Sequence, residues 1–102
     1  MKKYLLVLTT LNDETRANKL AQSLVIQRFA ACVQIEKIKS VYLWQGKVEK
    51  SIEFRLSIKT THKKYQKLED FLKNEHPYEV PQIVAIPIKK GLKSYLNWLN
   101  EA

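Results

Sequence analysis

Two kinds of hydrophobic spacing alternate along this chain. Residues 3–10 form an almost continuous apolar run of strand length, which is typical of a strand that is buried on both faces. Over about residues 14–28, apolar residues recur at steps of three and four, and this spacing predicts an amphipathic helix. Asn12 or Asp13 is suited to cap the start of that helix with its side-chain oxygen.

Two extended segments joined by a tight turn follow. Residues 48–60 alternate between apolar and polar side chains, which predicts a half-buried strand. Residues 31–44 are also extended, but the parity of their apolar positions changes near residues 36–37, and this change predicts a β-bulge or a bend. Gln45-Gly46 lies between the two segments and predicts a two-residue hairpin turn, in which the glycine supplies a positive φ.

The second half of the chain supplies a helix, a strand and a last helix. Residues 62–74 have the spacing of an amphipathic helix, which Pro77 ends while it holds His76 in an extended conformation. Residues 82–86 predict a strand that Pro87 restricts to a sheet edge or a bulge. The apolar residues of the last helix are Leu92, Tyr95, Leu96 and Leu99.

The resulting order of elements is β-α-β-β-α-β with a C-terminal helix. This order predicts a ferredoxin-like α+β fold, in which two helices cover one face of a four-stranded antiparallel sheet. We expect one domain over residues 1–102, because the chain has the usual length of a single domain. Hydrophobic residues make up 45% and charged residues 27% of the chain, which excludes an intrinsically disordered protein.

The central hairpin is too long for its own domain. Arms of about 12 residues would span roughly 40 Å, whereas a globule of 100 residues is around 34 Å across. Its tip, with Val41, Leu43 and Trp44, would therefore protrude and expose apolar groups and unpaired strand edges. Pairing with another copy of the chain would cover both. The alternative is a strongly bent hairpin that folds back on its own domain.

Charge and cysteine content limit the possible cellular location and covalent cross-links of the protein, but they do not identify its function. The net charge is +8, which attracts polyanions without naming a partner. The single cysteine, Cys32, excludes an intrachain disulfide. The apolar run over residues 4–8 is shorter than the core of a signal peptide, and no stretch is long enough to span a membrane, so we expect a cytoplasmic protein with no membrane partner.

Six short motifs, taken together and in this order, resemble the CutA divalent-cation tolerance proteins. They are Leu8-Thr9-Thr10, Arg28-Phe29-Ala30-Ala31-Cys32-Val33, Tyr42-Leu43-Trp44-Gln45-Gly46-Lys47, Lys59-Thr60-Thr61, His76-Pro77-Tyr78-Glu79-Val80-Pro81-Gln82 and Tyr95-Leu96-Asn97-Trp98-Leu99. The resemblance implies a homotrimer built by pairing strands between subunits, similar to the PII signalling proteins. It also implies a role in tolerance to copper and other divalent metals, with no established enzymatic reaction.

Metal binding is the first candidate function. The resemblance marks Cys32 and His76 as metal-associated positions, and a thiolate with an imidazole suits copper. Glu75 or Glu79 could add oxygen ligands, and symmetry mates in a trimer could complete the site. The alternative is that Cys32 is a small buried core residue and that His76 bonds only to backbone.

The chain also departs from the metal-associated pattern of some relatives. Thr9 and Phe71 stand where some bacterial relatives carry cysteine, and Glu75 stands where some carry a second histidine. A copper site rich in thiolates is therefore not expected here.

A small-molecule cleft between subunits is the second candidate function. Aromatic residues with a few polar tips are typical of ligand sites, and Lys59 would favour an anion. The alternative is packing at a subunit interface, where tyrosine and tryptophan are also common. The candidate cleft residues are Tyr42, Trp44, Lys59, His76, Tyr78 and Trp98.

Two further function classes have little support. No Ser-His-Asp, Cys-His-Asn or His-Glu-x-x-His arrangement can be drawn, so we expect no enzyme. The same order of elements serves RNA-recognition motifs, but the strand over residues 48–60 lacks their glycine-rich pattern and places Glu53 on its polar face. We therefore expect no sequence-specific nucleic-acid binding, and leave weak adhesion to polyanions open.

Overall fold

A computed structural model describes residues 3–102, and it confirms the predicted order of elements; residues 1 and 2 of the expected domain lie outside this range. The strands are β1 (Tyr4–Leu11), β2 (Cys32–Trp44), β3 (Lys47–Thr61) and β4 (Val84–Pro87), and the helices are α1 (Glu14–Ile26), α2 (Tyr65–Glu75) and α3 (Lys93–Glu101). A 3-10 turn over His62–Lys64 leads from β3 into α2, where the sequence predicted a helix from residue 62.

The four strands form one antiparallel sheet in the order β2-β3-β1-β4. Alternate residues of β1 and β3, such as Val7 and Ile58, point to the face that α1 and α2 cover, and there they form the hydrophobic core with Leu24 and Leu68. We call the other side of the sheet the open face. The arrangement is the ferredoxin-like α+β fold that the sequence predicted.

The third helix, α3, lies on the open face near the end of β3. The ring centroid of Tyr95 is 5.6 Å from Nζ of Lys59, which points out of β3 on that face. Leu99 is 1% exposed, yet it lies apart from the core that α1 and α2 cover. The C-terminal helix therefore covers one end of the open face and leaves the rest of that face uncovered by helices.

Neighbouring residues determine where α1 begins and ends. The carboxylate of Asp13 accepts a hydrogen bond from the backbone N–H of Arg16 at 3.0 Å, so Asp13 is the N-cap. The helix ends at Ile26, two residues before the predicted end, because Arg28 adopts the left-handed conformation with φ of 61°. The backbone N–H of Phe29 then donates to the carbonyl of Leu24 at 2.9 Å and closes the helix end.

The predicted bulge near residues 36–37 is wrong. The register of β2 against β3 runs without a break from Cys32 opposite Lys59 to Trp44 opposite Lys47. The parity of the apolar positions changes for another reason. Residues 33 and 35 lie on the helix side and pack against the core, whereas farther along β2 passes beyond the helices and carries apolar side chains on both faces.

The hairpin turn and its protruding tip are both confirmed. Gln45 and Gly46 have φ values of 51° and 78°, which is the pair of positive values that a two-residue type I′ turn requires. Strand β1 pairs with β3 only as far as Phe54. Residues 38–44 and 47–53 therefore form a two-stranded ribbon beyond the four-stranded sheet, and the chain measures 45 × 25 × 22 Å. We call this part of the hairpin the ribbon.

The last strand is shorter than predicted and begins at Val84 rather than at residue 82. It is an edge strand, and its final residue, Pro87, lies opposite Leu5. An edge position tolerates proline, because proline lacks the backbone N–H and an edge strand has no neighbour on its outer side that would need this donor. Before this strand, His76 is extended with ψ of 137°, as the following proline requires.

One buried hydroxyl group in the core generates a stability prediction. The side-chain oxygen of Thr9 is fully buried on the helix side of β1 and has no hydrogen-bond partner among the described residues. Because an unpaired buried hydroxyl costs about 1–3 kcal/mol, we expect Thr9→Val to raise the free energy of unfolding by about 1–2 kcal/mol in urea denaturation.

Thr60 is the matched control for this substitution. It is equally buried on the helix side of β3, but its hydroxyl donates to the carbonyl of Phe29 at 2.7 Å. Thr60→Val should therefore lower the free energy of unfolding by about 1 kcal/mol. A loss of stability in Thr9→Val as well would show that the Thr9 hydroxyl has a partner, such as a buried water molecule.

Candidate functional site

The open face of the ribbon and the loop that follows α2 enclose a groove of about 700 Å³. Three aromatic residues line it, Tyr42 and Trp44 from β2 and Tyr78 from the loop. The charged residues that line it are three glutamates, Glu49, Glu53 and Glu79. We refer to this cavity as the groove.

The strand register explains why these side chains share one face. Tyr42 lies directly opposite Glu49 across the ribbon, and directly opposite residues of neighbouring strands point to the same side of a sheet. Glu53 lies opposite Ile38, one residue beyond the last pairing of β1 with β3. The groove thus begins at the point where the ribbon leaves the four-stranded sheet.

A chain of hydrogen bonds attaches the loop to the sheet. The backbone N–H of Tyr78 donates to Nδ1 of the buried His76 at 3.1 Å, so the proton of a neutral ring must lie on Nε2. That Nε2 donates to the carbonyl of Thr10, the penultimate residue of β1, at 2.9 Å. The hydroxyl of Tyr78 donates to Oε2 of Glu53 at 2.6 Å. His76 and Tyr78 therefore hold the loop against both β1 and β3.

Burial sets the protonation states of this chain of hydrogen bonds. It lowers the pKa of His76 below its usual value, although the hydrogen bond to Thr10 acts in the opposite direction. It also raises the pKa of Tyr78, and the carboxylate of Glu53 raises that pKa further. At neutral pH the imidazole is uncharged and the phenol keeps its proton, which are the forms that the observed hydrogen bonds need.

Comparison with known proteins identifies the family. The family model described as CutA1 divalent ion tolerance protein matches residues 5–102. The chain belongs to the CutA1 family. Among curated relatives, the divalent-cation tolerance protein CutA of Thermus thermophilus is 46% identical over 96 residues, which are 93% of each chain. The CutA of Archaeoglobus fulgidus is 42% identical over 85 residues, which are 83% of each chain.

Solved CutA1 structures share the whole fold of this chain. The protein of Thermus thermophilus superposes with a TM-score of 0.91 at 44% identity, over 96% of both chains. The Archaeoglobus fulgidus protein, which is described as a periplasmic divalent cation tolerance protein, superposes with a TM-score of 0.92 at 38% identity, also over 96% of both chains. The family is named for tolerance to divalent ions and not for a reaction.

The CutA1 chain does not bring its two foremost metal candidates together. Cys32 is half-buried opposite Lys59, which itself pairs with Leu6. His76 bonds to Thr10, four residues farther along β1, and four residues of a strand span about 14 Å. Within one chain, Cys32 and His76 therefore cannot share a metal ion.

The other donors do not complete a metal site in one chain either. Both ring nitrogens of His76 are occupied by hydrogen bonds, so a metal ion would have to break one of them. Glu75 and Glu79 are exposed. Over residues 3–102, no three histidine, cysteine, aspartate or glutamate side chains lie close enough to hold one ion. Donors of a single chain thus do not fit a closed copper site, and the metal assignment stays a prediction that depends on ligands from another copy.

The predicted cleft residues of CutA1 divide into two regions. Tyr42, Trp44 and Tyr78 line the groove, and His76 supports Tyr78 from behind. Lys59 lies elsewhere on the open face, where its Nζ donates to Oε1 of Gln34 at 3.1 Å and faces Tyr95 of α3. The ring of Trp98 is 5.6 Å from that of Tyr95. The lysine expected to attract an anion is therefore no part of the groove.

Sequence reasoning missed Glu49 and Glu53 as site residues. Both occupy polar positions of an alternating strand, and such positions are usually exposed to solvent. Glu53 is instead only 7% exposed, because the loop that carries Tyr78 folds over it. No local signal in the sequence marks this burial, since it depends on a loop that lies 25 residues away in the chain.

Across the part of the chain that the structure describes, no helix is long and apolar enough to cross a membrane.

The lowered pKa of His76 generates a pH prediction. Between its folded-state pKa and the unfolded value of about 6.5, the unfolded chain binds a proton that the folded chain does not. The contribution of His76 to the free energy of unfolding should therefore be constant above pH 7 and fall as the pH drops through 6.5 and below, as urea denaturation between pH 5 and 8 would show.

His76→Asn tests this origin, because its amide oxygen can still accept the hydrogen bond from Tyr78. The variant should lose about 1 kcal/mol through the missing bond to Thr10, and its stability should depend less on pH between 5 and 7. The matched control is His62→Asn, which replaces the other, exposed histidine and should keep the pH dependence. An unchanged pH dependence in His76→Asn would contradict the assignment.

Proposed function

We propose that this CutA1 chain is a non-enzymatic cytoplasmic protein of divalent-cation tolerance that works as a homotrimer. The ribbon is the observation that carries the proposal. It is two strands wide over seven residue pairs, and among the described residues none of the three helices packs beneath its tip. Two-stranded hairpins are at best marginally stable in water, so an ordered ribbon of this length needs a partner surface.

The side chains of the ribbon are those of an interface. Val41, Leu43, Trp44 and Val48 are each 60–72% exposed in the single chain. They lie on both faces of the ribbon, and this much exposed apolar surface is unusual on a monomer and marks an interaction site. Strand β2 is also a sheet edge along its whole length, so its backbone groups can pair with another strand. The number of three copies rests on the family resemblance.

Substitution at the ribbon tip tests the assembly. Leu43→Glu places a charge in the centre of the proposed interface, and we expect native mass spectrometry to show monomers where the unaltered chain gives trimers. Ile26→Glu is the matched control, because Ile26 is 76% exposed on α1, away from the ribbon. It should remain trimeric. Monomeric behaviour of the unaltered chain at micromolar concentration would refute the assembly.

The more specific part of the proposal is that the protein binds copper. We assign the soft ligand to Cys32, with His76 as the second candidate and Glu75 or Glu79 as weaker oxygen donors. Since one chain cannot close such a site, ligands from neighbouring copies would have to complete it. A site shared between copies would tie metal binding to the assembled trimer.

Metal titration followed by native mass spectrometry tests these ligands. With copper(II), we expect a fixed stoichiometry per trimer that resists a mild chelator, and zinc(II) in a parallel sample should bind more weakly. Cys32→Ser should lose this copper, whereas His62→Asn, which removes an exposed imidazole, should keep it. Retention of tightly bound copper in both Cys32→Ser and His76→Asn would remove the assignment.

The groove favours a second candidate function, a regulatory trimer that binds a small molecule in the manner of PII proteins. Its volume of about 700 Å³ lies within the usual range of ligand sites, and its lining combines aromatic rings with a few polar groups. Such a ligand would contact the ribbon directly, so its binding would be coupled to the subunit interface that the ribbon forms. The chemistry of the lining indicates which class of ligand this would be.

A further inference from the structure

We propose that the groove binds an organic ammonium ion, that is, a small amine or quaternary amine. This inference deepens the second candidate function and rests on it. Its first support is charge. Glu49, Glu53 and Glu79 line the groove, and among residues 3–102 no lysine, arginine or histidine does, although the chain carries 18 lysines and arginines against 10 acidic residues. In a protein of net charge +8, a groove whose charged lining residues are three glutamates favours a cation over an anion.

The burial of Glu53 supplies the second support. The residue is only 7% exposed, and the hydroxyl of Tyr78 is its one hydrogen-bond donor among the described residues. No described lysine or arginine forms an ion pair with it; the nearest pair along β3 joins Arg55 to Glu36. A carboxylate that is buried without a compensating cation is costly, and a cation bound in the groove would remove that cost.

The aromatic residues define what kind of cation fits. Tyr42, Trp44 and Tyr78 line the same groove, and the faces of such rings attract an ammonium group, with tryptophan the most effective. Alkylated ammonium ions gain both from these rings and from the burial of their methyl groups. Aromatic surroundings with one buried carboxylate are the arrangement expected for a large cation with a diffuse charge.

Other ligand classes fit this lining less well. A bare metal ion needs several donors at one point, and over residues 3–102 no group of three such donors exists. An anion would meet three carboxylates. A lysine side chain from a neighbouring copy would satisfy the charge but would fill only a small part of about 700 Å³. Occupation of the groove by a neighbouring copy would overturn the proposal.

Choline and its uncharged isostere 3,3-dimethylbutan-1-ol form the decisive pair of probes, because they share one shape and differ in charge. The chain has two tryptophans, so their indole N–H signals can be followed separately in ¹H–¹⁵N correlation spectra, with Trp44→Phe to assign them. At constant ionic strength, choline should shift the Trp44 signal in a saturable way and leave Trp98 unchanged. The neutral isostere should bind at least tenfold more weakly.

Two charge-neutralising variants locate the cation. Glu53→Gln keeps an oxygen that can accept the hydrogen bond of Tyr78 but removes the buried charge, and it should weaken choline binding at least tenfold. Glu101→Gln makes the same change of charge in α3, outside the groove, and should leave the affinity unaltered. Equal affinity for choline and its isostere, or equal binding by Glu53→Gln and the unaltered chain, would overturn the proposal.

The assembly is recorded on the same samples by native mass spectrometry, which separates the two proposals. A trimer that does not bind choline would overturn the ammonium site and leave the trimer standing. A monomer that binds choline would do the reverse. Choline binding to monomeric Leu43→Glu but not to the trimer would show that a neighbouring copy fills the groove, and would also overturn the ligand proposal.

Discussion

The unbroken pairing of β2 with β3 is the constraint on which the other features of this molecule depend. These strands stay in register over thirteen residue pairs, whereas β1 can pair with β3 only over eight, from Tyr4 to Leu11. The part of the β2–β3 hairpin that extends beyond β1 is the ribbon, and among the described residues neither a third strand nor a helix supports it. The exposed apolar tip, the free edge of β2 and the groove all arise from this one mismatch in strand length.

The His76-Pro77-Tyr78 turn is the second organising element, and its role is structural before it is chemical. Proline keeps the preceding histidine out of the helix, and the histidine then uses both ring nitrogens to connect the loop to the end of β1. This connection places the Tyr78 hydroxyl on Glu53. A motif that resembles a metal-binding segment in sequence thus shapes one wall of the groove.

Much of the fold could be predicted from the sequence, because hydrophobic period and turn chemistry are local properties. A helix cap at Asn12 or Asp13 and the Gln45-Gly46 turn follow from neighbouring residues alone, and the exposure of Leu43 follows from the length of the hairpin arms. The parity change in β2 predicts a bulge that the structure does not contain, because sequence alone does not show where helical cover stops. The site was harder to predict. Burial of Glu53 and the separation of Cys32 from His76 depend on long-range pairing, which one sequence does not reveal.

The ribbon has a consequence for how this protein comes to be folded. Its strands gain little from their own chain, so much of the free energy that orders them would come from association, and apparent stability would then rise with protein concentration. A newly made chain at low concentration would meanwhile expose an open β-edge beside Val41 and Leu43, which is a surface prone to aggregation. Rapid association with further copies would then protect the new chain from aggregation as well as complete the functional assembly.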